Sequence, residues 1–521
     1  MTIRTCKITG EEFTVSNAEL LYCQQNSIPL PSLSPNERIR RIYAFQNRSH
    51  LYHDICKKSG NKIITNIPPE KGYVVYDAKH WEEDDWSALD YGVDYDPNQS
   101  FFLQFEKLLK KTPIPNLPGI PSSRENADYC CGVSYARNCY LVMGGQQIED
   151  CYYSQRISRC KNVIDCVVAY ESELCYDCVD IVNCYNLKFA EHCSSCSDSS
   201  FLSNCNNCSD CFGCVDLQNE RYCYRNEKLD RETYLRKISE VNLHSRNELE
   251  KERLSFQEFK NSFLLPSQYG HSNENSTGNY LYNTKNCSNC YFTLDSQDLE
   301  HCYVTLKGKD SFFICSFGEE SELCYQVVSS GYQLYSVKFS ADIRKNVRDV
   351  EYSMFCAYGV HDCFGCLSLK RQSYCILNRQ YEKGDYFNLL NKIKSRMKED
   401  GEYGEFFPPS LSPHYYNHSV SNVLFPSTEA EATSLGFPWK NDLAGDSNSG
   451  HALPPDSILD DDDVLNKVYK CRVTGKSFKF IAAEIDFLKK EKIALPDVSP
   501  LKRIEDRCRF QRYSSLVQTN S

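Results

Sequence analysis

Between Cys130 and Cys223 the chain places sixteen cysteines, and all but Cys131 fall in one frame of three residues. The frame continues through the non-cysteines. It runs Ile157, Cys160, Val163, Cys166, Ala169, Ser172, Cys175, Cys178, Ile181, Cys184, Leu187, Ala190 and Cys193, all small or apolar. The position before is rich in turn formers: Asn162, Asp165, Asp177, Asp180, Asn183, Asn186, Asp198, Asn204, Asn207, Asp210. The position after often holds a β-former, as at Val167, Tyr176, Val179, Val182, Tyr185, Phe212 and Val215. Many cysteines also lie on two tracks nine residues apart, such as Cys166, Cys175, Cys184, Cys193 and Cys196, Cys205, Cys214, Cys223.

A triplet of inward, outward and corner residues is neither helical nor plain strand periodicity. Short strands broken by a corner at fixed intervals produce it, which predicts a β-solenoid whose rungs bury one another. Asn and Asp suit the corners because they tolerate a left-handed backbone and bond their own turn. Cysteine suits a narrow interior, being small and mostly buried when free.

The pattern is duplicated. Asn138-Cys139-Tyr140-Leu141 resembles Asn289-Cys290-Tyr291-Phe292, Glu171–Tyr176 recurs at Glu320–Tyr325, and Asp210–Cys214 recurs at Asp362–Cys366. The offsets are 151, 149 and 152, so two homologous halves differ by small insertions. A helix is predicted after each, over Arg231–Lys260 and Tyr386–Lys398, placed to cap or buttress solenoid ends that otherwise expose strand edges.

The ends repeat as well. Cys6-Lys7-Ile8-Thr9-Gly10 returns as Cys471-Arg472-Val473-Thr474-Gly475, and the Pro-rich turn and arginine that follow return at the same offset of 465. Cys56-Lys57-Lys58-Ser59-Gly60 is a third copy. These look like zinc-ribbon knuckles in which Thr9, Ser59 and Thr474 replace the second cysteine. Cys6, Cys23, Cys56 and His53 are one candidate Cys3His set, against a metal-free knuckle held by its apolar core.

Charge is uneven. Residues 1–66 carry +4 and residues 464–521 carry +7, leaving −22 for the centre of a chain whose net charge is −11. A polyanion or acidic partner is therefore expected at the ends, on Arg38, Arg40, Arg41 and Arg48, and on Lys502, Arg503, Arg507, Arg509 and Arg512. Tyr43, Phe45 and Phe510 stand near for stacking. The same arginines equally suit pairing with this chain's own acidic centre. The first residues show no apolar signal core, and no run approaches the roughly 20 apolar residues of a membrane span. A cytoplasmic, reducing compartment is the expectation, which disfavours disulfides for 30 cysteines.

Cys175-x2-Cys178 and Cys193-x2-Cys196 have near-zinc spacing. Yet Cys178 aligns with Val327, Cys184 falls near Leu334, and Cys193 has no cysteine counterpart. A core filler tolerates such exchange and a metal ligand does not. Cys211, Cys214, Cys363 and Cys366, kept in both halves, remain the best metal candidates, against a tight glycine corner between two inward residues. Cofactors are thus none, or zinc. His192-Cys193 and His301-Cys302 invite a nucleophile reading. The frame aims the histidines at corners and the cysteines inward, so no catalytic residue is assigned.

Several blocks resemble an uncharacterised family of multi-cysteine proteins with zinc-ribbon-like ends, met mainly in small-genome bacteria and environmental sequences. They are Cys6–Gly10, Arg38–Arg48, Leu51-Tyr52, Val75–Trp86, Tyr91-Gly92, Phe101–Phe105, the Asn-Cys-Tyr-Leu and Glu-Leu-Cys-Tyr motifs, and Glu405–Pro408 through Tyr416. The resemblance spans most of the chain and implies no activity. Members often have C-P-x-x-C before the arginines, where this chain has Ser34 and Glu37.

The expected fold is mainly β, with tandem Cys-rich β-solenoid (β-helix) halves, capping helices and flanking zinc-ribbon-like α+β modules. The expected segments are a knuckle module (1–66), a Trp/Asp-rich connection docked on the first rung (67–123) and half 1 (124–224). A helical insert (225–274), half 2 (275–377) and a helix (378–400) follow. A Pro-rich strap (401–463) and a C-terminal half module (464–521) complete the chain. The expected function is a non-enzymatic scaffold or binding protein, a rigid solenoid whose basic ends contact a protein or ribonucleoprotein. Protein binding or self-association is favoured, nucleic acid is possible through the basic ends, and no membrane is involved. The alternatives are a zinc-binding protein with thiolate sites along the repeat, possibly nucleic-acid associated, and an enzyme with a groove on the flank.

Overall fold

The computed structural model describes residues 2–314, 338, 341, 347–441, 453–457 and 463–511. Glu320–Tyr325, Val327, Leu334, Arg512 and most of the acidic run Asp460–Asp463 lie outside them. The described chain is mainly β, and parallel pairing joins residue i to residue i+12: Gln155 to Val167, Val167 to Val179, Val179 to Glu191. Asp165, Val168, Glu171, Leu174, Asp177 and Asp180 are left-handed, with φ of 57, 59, 50, 58, 54 and 53°. Two extended residues and one such corner make a side, and four sides make one 12-residue coil. Each coil therefore sends four side chains inward, and those of Cys130–Cys223 form one continuous buried core.

The predicted triplet is thus the side of a β-solenoid, and the coil length in the first half is 12. Nine residues is one coil less one side. It is the step by which a thiol reaches diagonally: Cys160 Sγ donates to Ser158 O at 3.3 Å and to Ala169 O, nine residues on, at 3.3 Å. At the corners, Asn126 Nδ2 bonds Asn138 Oδ1 at 3.1 Å and Asn138 Nδ2 bonds Asp150 Oδ1 at 3.1 Å, an amide ladder one coil apart.

The second half repeats the coil, with Gly278 opposite Cys290 and Tyr291 opposite Tyr303. Among the described residues the step varies: Gly270 pairs with Leu281, 11 residues on, and Lys338 with Glu351 and Val350 with Cys363, each 13 on. The coil from Val350 takes up its extra residue where Tyr358 (φ 61°) and Gly359 (φ 84°) are both left-handed at one corner. The next coil returns to 12, Cys363 to Cys375.

Both halves end in the same device. Arg225-Asn226 and Leu377-Asn378 have consecutive positive φ and turn the chain into an antiparallel strand, the signature of a two-residue primed hairpin. The Asn226 amide then mimics the missing next coil. Its Oδ1 accepts from Val215 N at 2.9 Å and its Nδ2 donates to Val215 O at 2.8 Å. Asn378 does the same to Leu367, at 2.7 and 2.9 Å.

The helices buttress the last coil of each half and run on along its flank: Tyr234 meets Tyr222, and Glu252 pairs with Arg225 of the terminal hairpin at 2.8 Å. The first predicted one is two, Arg231–Ser239 and Arg246–Asn261, and the second is Lys383–Glu399. They lie on the flanks, through Arg253–Asp177, Lys260–Glu191 at 2.7 Å and Phe256 against Phe201 in the first half. In the second, Lys394 meets Glu351 at 2.8 Å and Tyr386 meets Tyr374. The Trp/Asp-rich segment does not sit on the first rung either: Trp86, Ala88 and Leu89 join the core of the second half beside Cys363, Cys366, Leu369 and Cys375.

The chain divides into two compact units, Met1–Pro118 with Ser267–Lys440 and Gln511–Ser521, and Gly119–Pro266 with Asn441–Phe510. The N-terminal module thus folds with the second solenoid half and the C-terminal module with the first. Residues 401–440, expected as an extended strap, carry short helices such as Val420–Leu424 and Glu429–Ser434. They seat on the N-terminal module: Ser412 Oγ donates to Ala44 O, Val420 N donates to Gln46 O, and Phe406 meets Phe45 edge-on.

Candidate functional site

The three knuckles share one geometry. Gly10, Gly60 and Gly475 have φ of 73, 74 and 68°, and each N–H returns to the carbonyl of Cys6, Cys56 or Cys471 at 2.9 Å. Cys56 Sγ accepts from Asp77 N at 3.3 Å. Cys471 Sγ accepts from Ser499 N at 3.3 Å and Thr474 N at 3.4 Å, and the backbone of Ser34 and the Thr9 hydroxyl serve Cys6 in the same way. Ser34, Asp77 and Ser499 are each the N-cap of a helix, so every knuckle sulfur faces a helix N-terminus. Burial pushes the Cys471 thiol up, but the Ser499 N–H and the Thr474 hydroxyl outweigh it and hold it down to about 7. Cys6 and Cys56 are lowered by the same bonds against the same burial.

The proposed Cys3His set is not assembled. Cys6 and Cys56 belong to separate knuckles, Cys23 is buried on helix Asn17–Gln25, and His53 is exposed on strand Tyr52–Ile55. Among the described residues, no three or more His, Cys, Asp or Glu side chains are arranged to hold a metal ion. The Thr or Ser hydroxyl occupies the place of a second sulfur and bonds the first.

Cys211, Cys214, Cys363 and Cys366 all point into the core. Cys214 Sγ donates to Phe212 O at 3.3 Å and Cys223 O at 3.4 Å, and Cys366 Sγ repeats this to Phe364 O and Cys375 O, both at 3.4 Å. Burial pushes many of the core thiols up, Cys160 to about 11 and Cys130, Cys184 and Cys356 to about 12, whereas bonds from neighbouring sulfurs hold Cys211 down and take Cys208 down to about 3. Cys160, Cys184 and Cys356 are protonated donors to backbone oxygen.

Inward serines complete the scheme, and the sequence frame alone did not reveal their role. The N–H groups of Cys166, Cys184 and Cys211 donate to Ser154, Ser172 and Ser199 Oγ at 3.1, 3.1 and 2.9 Å, one coil earlier. Cys208 N meets Cys196 Sγ at 3.5 Å in the same manner. A twelve-residue Ser-to-Cys spacing is the signal that was available.

The arginines expected to meet an outside partner are largely spent inside. Arg38 is buried against Glu19 at 2.7 Å, with its guanidinium 3.7 Å above the Phe313 ring. Arg503, its equivalent, pairs with Asp165 and, at 2.7 Å, with Glu484, the equivalent of Glu19. Arg507 bonds Asp177 at 2.6 Å and Asp165 at 3.3 Å. Arg40 pairs with Glu37 at 3.4 Å, Lys502 with Glu505 and Asp506, and exposed Arg509 with Asp506 at 2.6 Å. Arg41 and Arg48 are half-buried. Tyr43 and Phe45 are buried and offer no stacking platform. Arg503 and Arg507 bind the chain's own acidic solenoid because buried guanidinium demands a paired carboxylate, while Arg38, Arg40, Lys502 and Arg509 pair with carboxylates of their own modules.

The histidine–cysteine pairs are split as the frame implies. His192 is a corner residue bonded to Asp180 at 3.0 Å, and His301 stacks on Phe313, while Cys193 and Cys302 are core. No helix among the described residues is long and apolar enough to cross a membrane. No family model matches the chain, and no curated protein matches it.

Proposed function

We propose that this chain is a non-enzymatic scaffold that presents a rigid β-solenoid surface to a protein partner. The observation that carries this reading is the filled lumen. Four inward side chains per coil are buried, and their thiols and hydroxyls are bonded to backbone, which suits rigidity rather than chemistry. Protonated sulfur committed to carbonyls supports core packing over thiolate metal sites. The knuckle tips keep exposed apolar residues, Ile3, Ile8 and Val473, beside Arg4, Lys7 and Arg472, and these are contact points of the kind a protein partner uses. Affinity purification from native lysate, with and without nuclease, tests the reading. A protein retained after nuclease supports it; loss of every retained protein on nuclease treatment, or several zinc ions per chain by elemental analysis, overturns it.

A further inference from the structure

The two halves end in the same hairpin but differ in what lies over it. In the second half, Asn378 Nδ2 donates to Ala88 O at 3.0 Å and Val93 N donates to Leu377 O at 3.0 Å. Leu89 and Trp86 cover the core sulfurs, and Gly92 lies so close that a Cβ would sit 2.6 Å from Asn378 O. Leu367, Leu369, Leu377 and Asn378 are consequently buried to 0, 1, 0 and 0 %. The rim is basic: Arg371 pairs with Asp84 at 3.1 Å and Arg379 with Asp94 at 2.7 Å, and Lys370 lies over Trp86.

Subtracting 152 gives the same seat on the first half: Val215, Leu217, Arg225 and Asn226. The hairpin and the Asn226–Val215 bonds are equivalent, yet Leu217, Arg225 and Asn226 are half-exposed. The rim is altered in sign. Gln218, Asn219 and Glu227 replace Lys370, Arg371 and Arg379, and exposed Asp216 replaces Ser368.

We propose that this end of the first half is a docking site for a short segment of a partner protein, built like Trp86–Gly92 but with neutral or basic flanks. The proposal rests on the scaffold reading. The occupied twin defines the occupant. A leucine covers the last sulfurs, a backbone carbonyl meets Asn226 Nδ2, an N–H meets Arg225 O, and a glycine three residues after the leucine lets the backbones touch. Acidic flanks, which suit the second half, meet carboxylates here, whereas basic flanks meet Asp216, which accepts from Asn204 at 2.8 Å, and Glu227, which Lys237 approaches at 3.5 Å, both still exposed.

The test needs no native partner, so its failure is distinct from failure of the scaffold reading. A fluorescein-labelled peptide of residues 84–95, with Asp84, Asp85, Asp90 and Asp94 each changed to Lys, is titrated with the full chain and read by anisotropy. Saturable binding is expected, weakened at least tenfold by Leu217→Asp. Asp216→Lys, at an exposed corner (φ 58°) where it gives up the bond from Asn204, should keep the far-ultraviolet circular dichroism and shift preference toward the unsubstituted acidic peptide; Asp216→Asn, which keeps the corner, should weaken the preference for the basic peptide. Absence of binding to the wild-type chain, or a charge preference unmoved by Asp216→Lys, overturns the proposal. So does a concentration-dependent dimer that Asp216→Lys abolishes, since that assigns the seat to a second copy.

Discussion

Each residue of the triplet answers to a different constraint. Corners need φ near +50°, which Asn and Asp accept cheaply and β-branched residues resist. Val304 occupies a corner at φ 60° and is half-buried. Val304→Asn should raise stability by about 1 kcal/mol, measured by urea melts. Inward positions need small or apolar side chains, and where they are Ser or Cys they also supply a hydrogen-bonding atom. Ser172→Ala strands the Cys184 N–H and should cost about 1–3 kcal/mol, whereas Ser172→Cys restores an acceptor and recovers most of it. Cys184→Ala should cost about 1 kcal/mol, and Cys184→Asp several, because an unpaired charge enters the core. Two buried histidines set an acid limit. Burial holds His301 to about 4 and His414 to about 3. The unfolded chain binds more protons wherever pH lies below its usual value near 6.5 and above those folded values. Stability is therefore full above about pH 6.5 and lost as pH falls toward 4. At pH 5 each histidine should cost about 2 kcal/mol, and His301→Phe should remove its share from the difference between melts at pH 7.5 and 5.

At the scale of elements, the solenoid depends on how its coils are closed. A terminal coil has a row of N–H and C=O groups with no next coil to meet, and the hairpin asparagines supply two of those bonds. Asn378 makes a third bond, to Ala88 O, and is fully buried, whereas Asn226 is half-exposed. Asn378→Ala should therefore cost about 2–4 kcal/mol and Asn226→Ala only about 1. Hydrogen exchange at Leu367 N and Val215 N reads the two losses separately. The triplet, the corners, the duplication and a helix after each half were legible in the sequence, because each follows from residue type at short range. The coil length was not, since nine- and twelve-residue steps both return to the inward slot. The flank position of the helices was not legible either. Arg253 and Lys260 read as ordinary surface charges until their solenoid partners Asp177 and Glu191 are known.

For the whole molecule, the decisive contacts join residues far apart in sequence. Arg503 and Asp165 are 338 residues apart, and Glu484, buried on helix Ala482–Glu491, completes the set. Breaking one partner leaves buried charge uncompensated, so Arg503→Met should cost about 3–5 kcal/mol. It should release residues 464–511 to trypsin while the solenoid half keeps its far-ultraviolet circular dichroism. The basic ends illustrate the boundary of sequence reasoning. Their charge, arginine spacing and Pro-rich turns are plain in the sequence; the helices that start at Ser34-Pro35 and Ser499-Pro500 are not. That Arg503 and Arg507 pair with Asp165 and Asp177 of the chain's own acidic centre was one of two readings, and composition alone does not choose between them. The knuckles behave likewise: the missing second cysteine is visible, but only the fold shows Thr474 and the Ser499 N–H bonding the sulfur that remains. By itself the sequence determined what is local, the three-residue side, its left-handed corner and its narrow sulfur-lined interior, because backbone preference and side-chain size act over a few residues. Tertiary structure alone decided which module lies on which half and which arginine meets which carboxylate, because burial energy depends on neighbours that the chain order does not name.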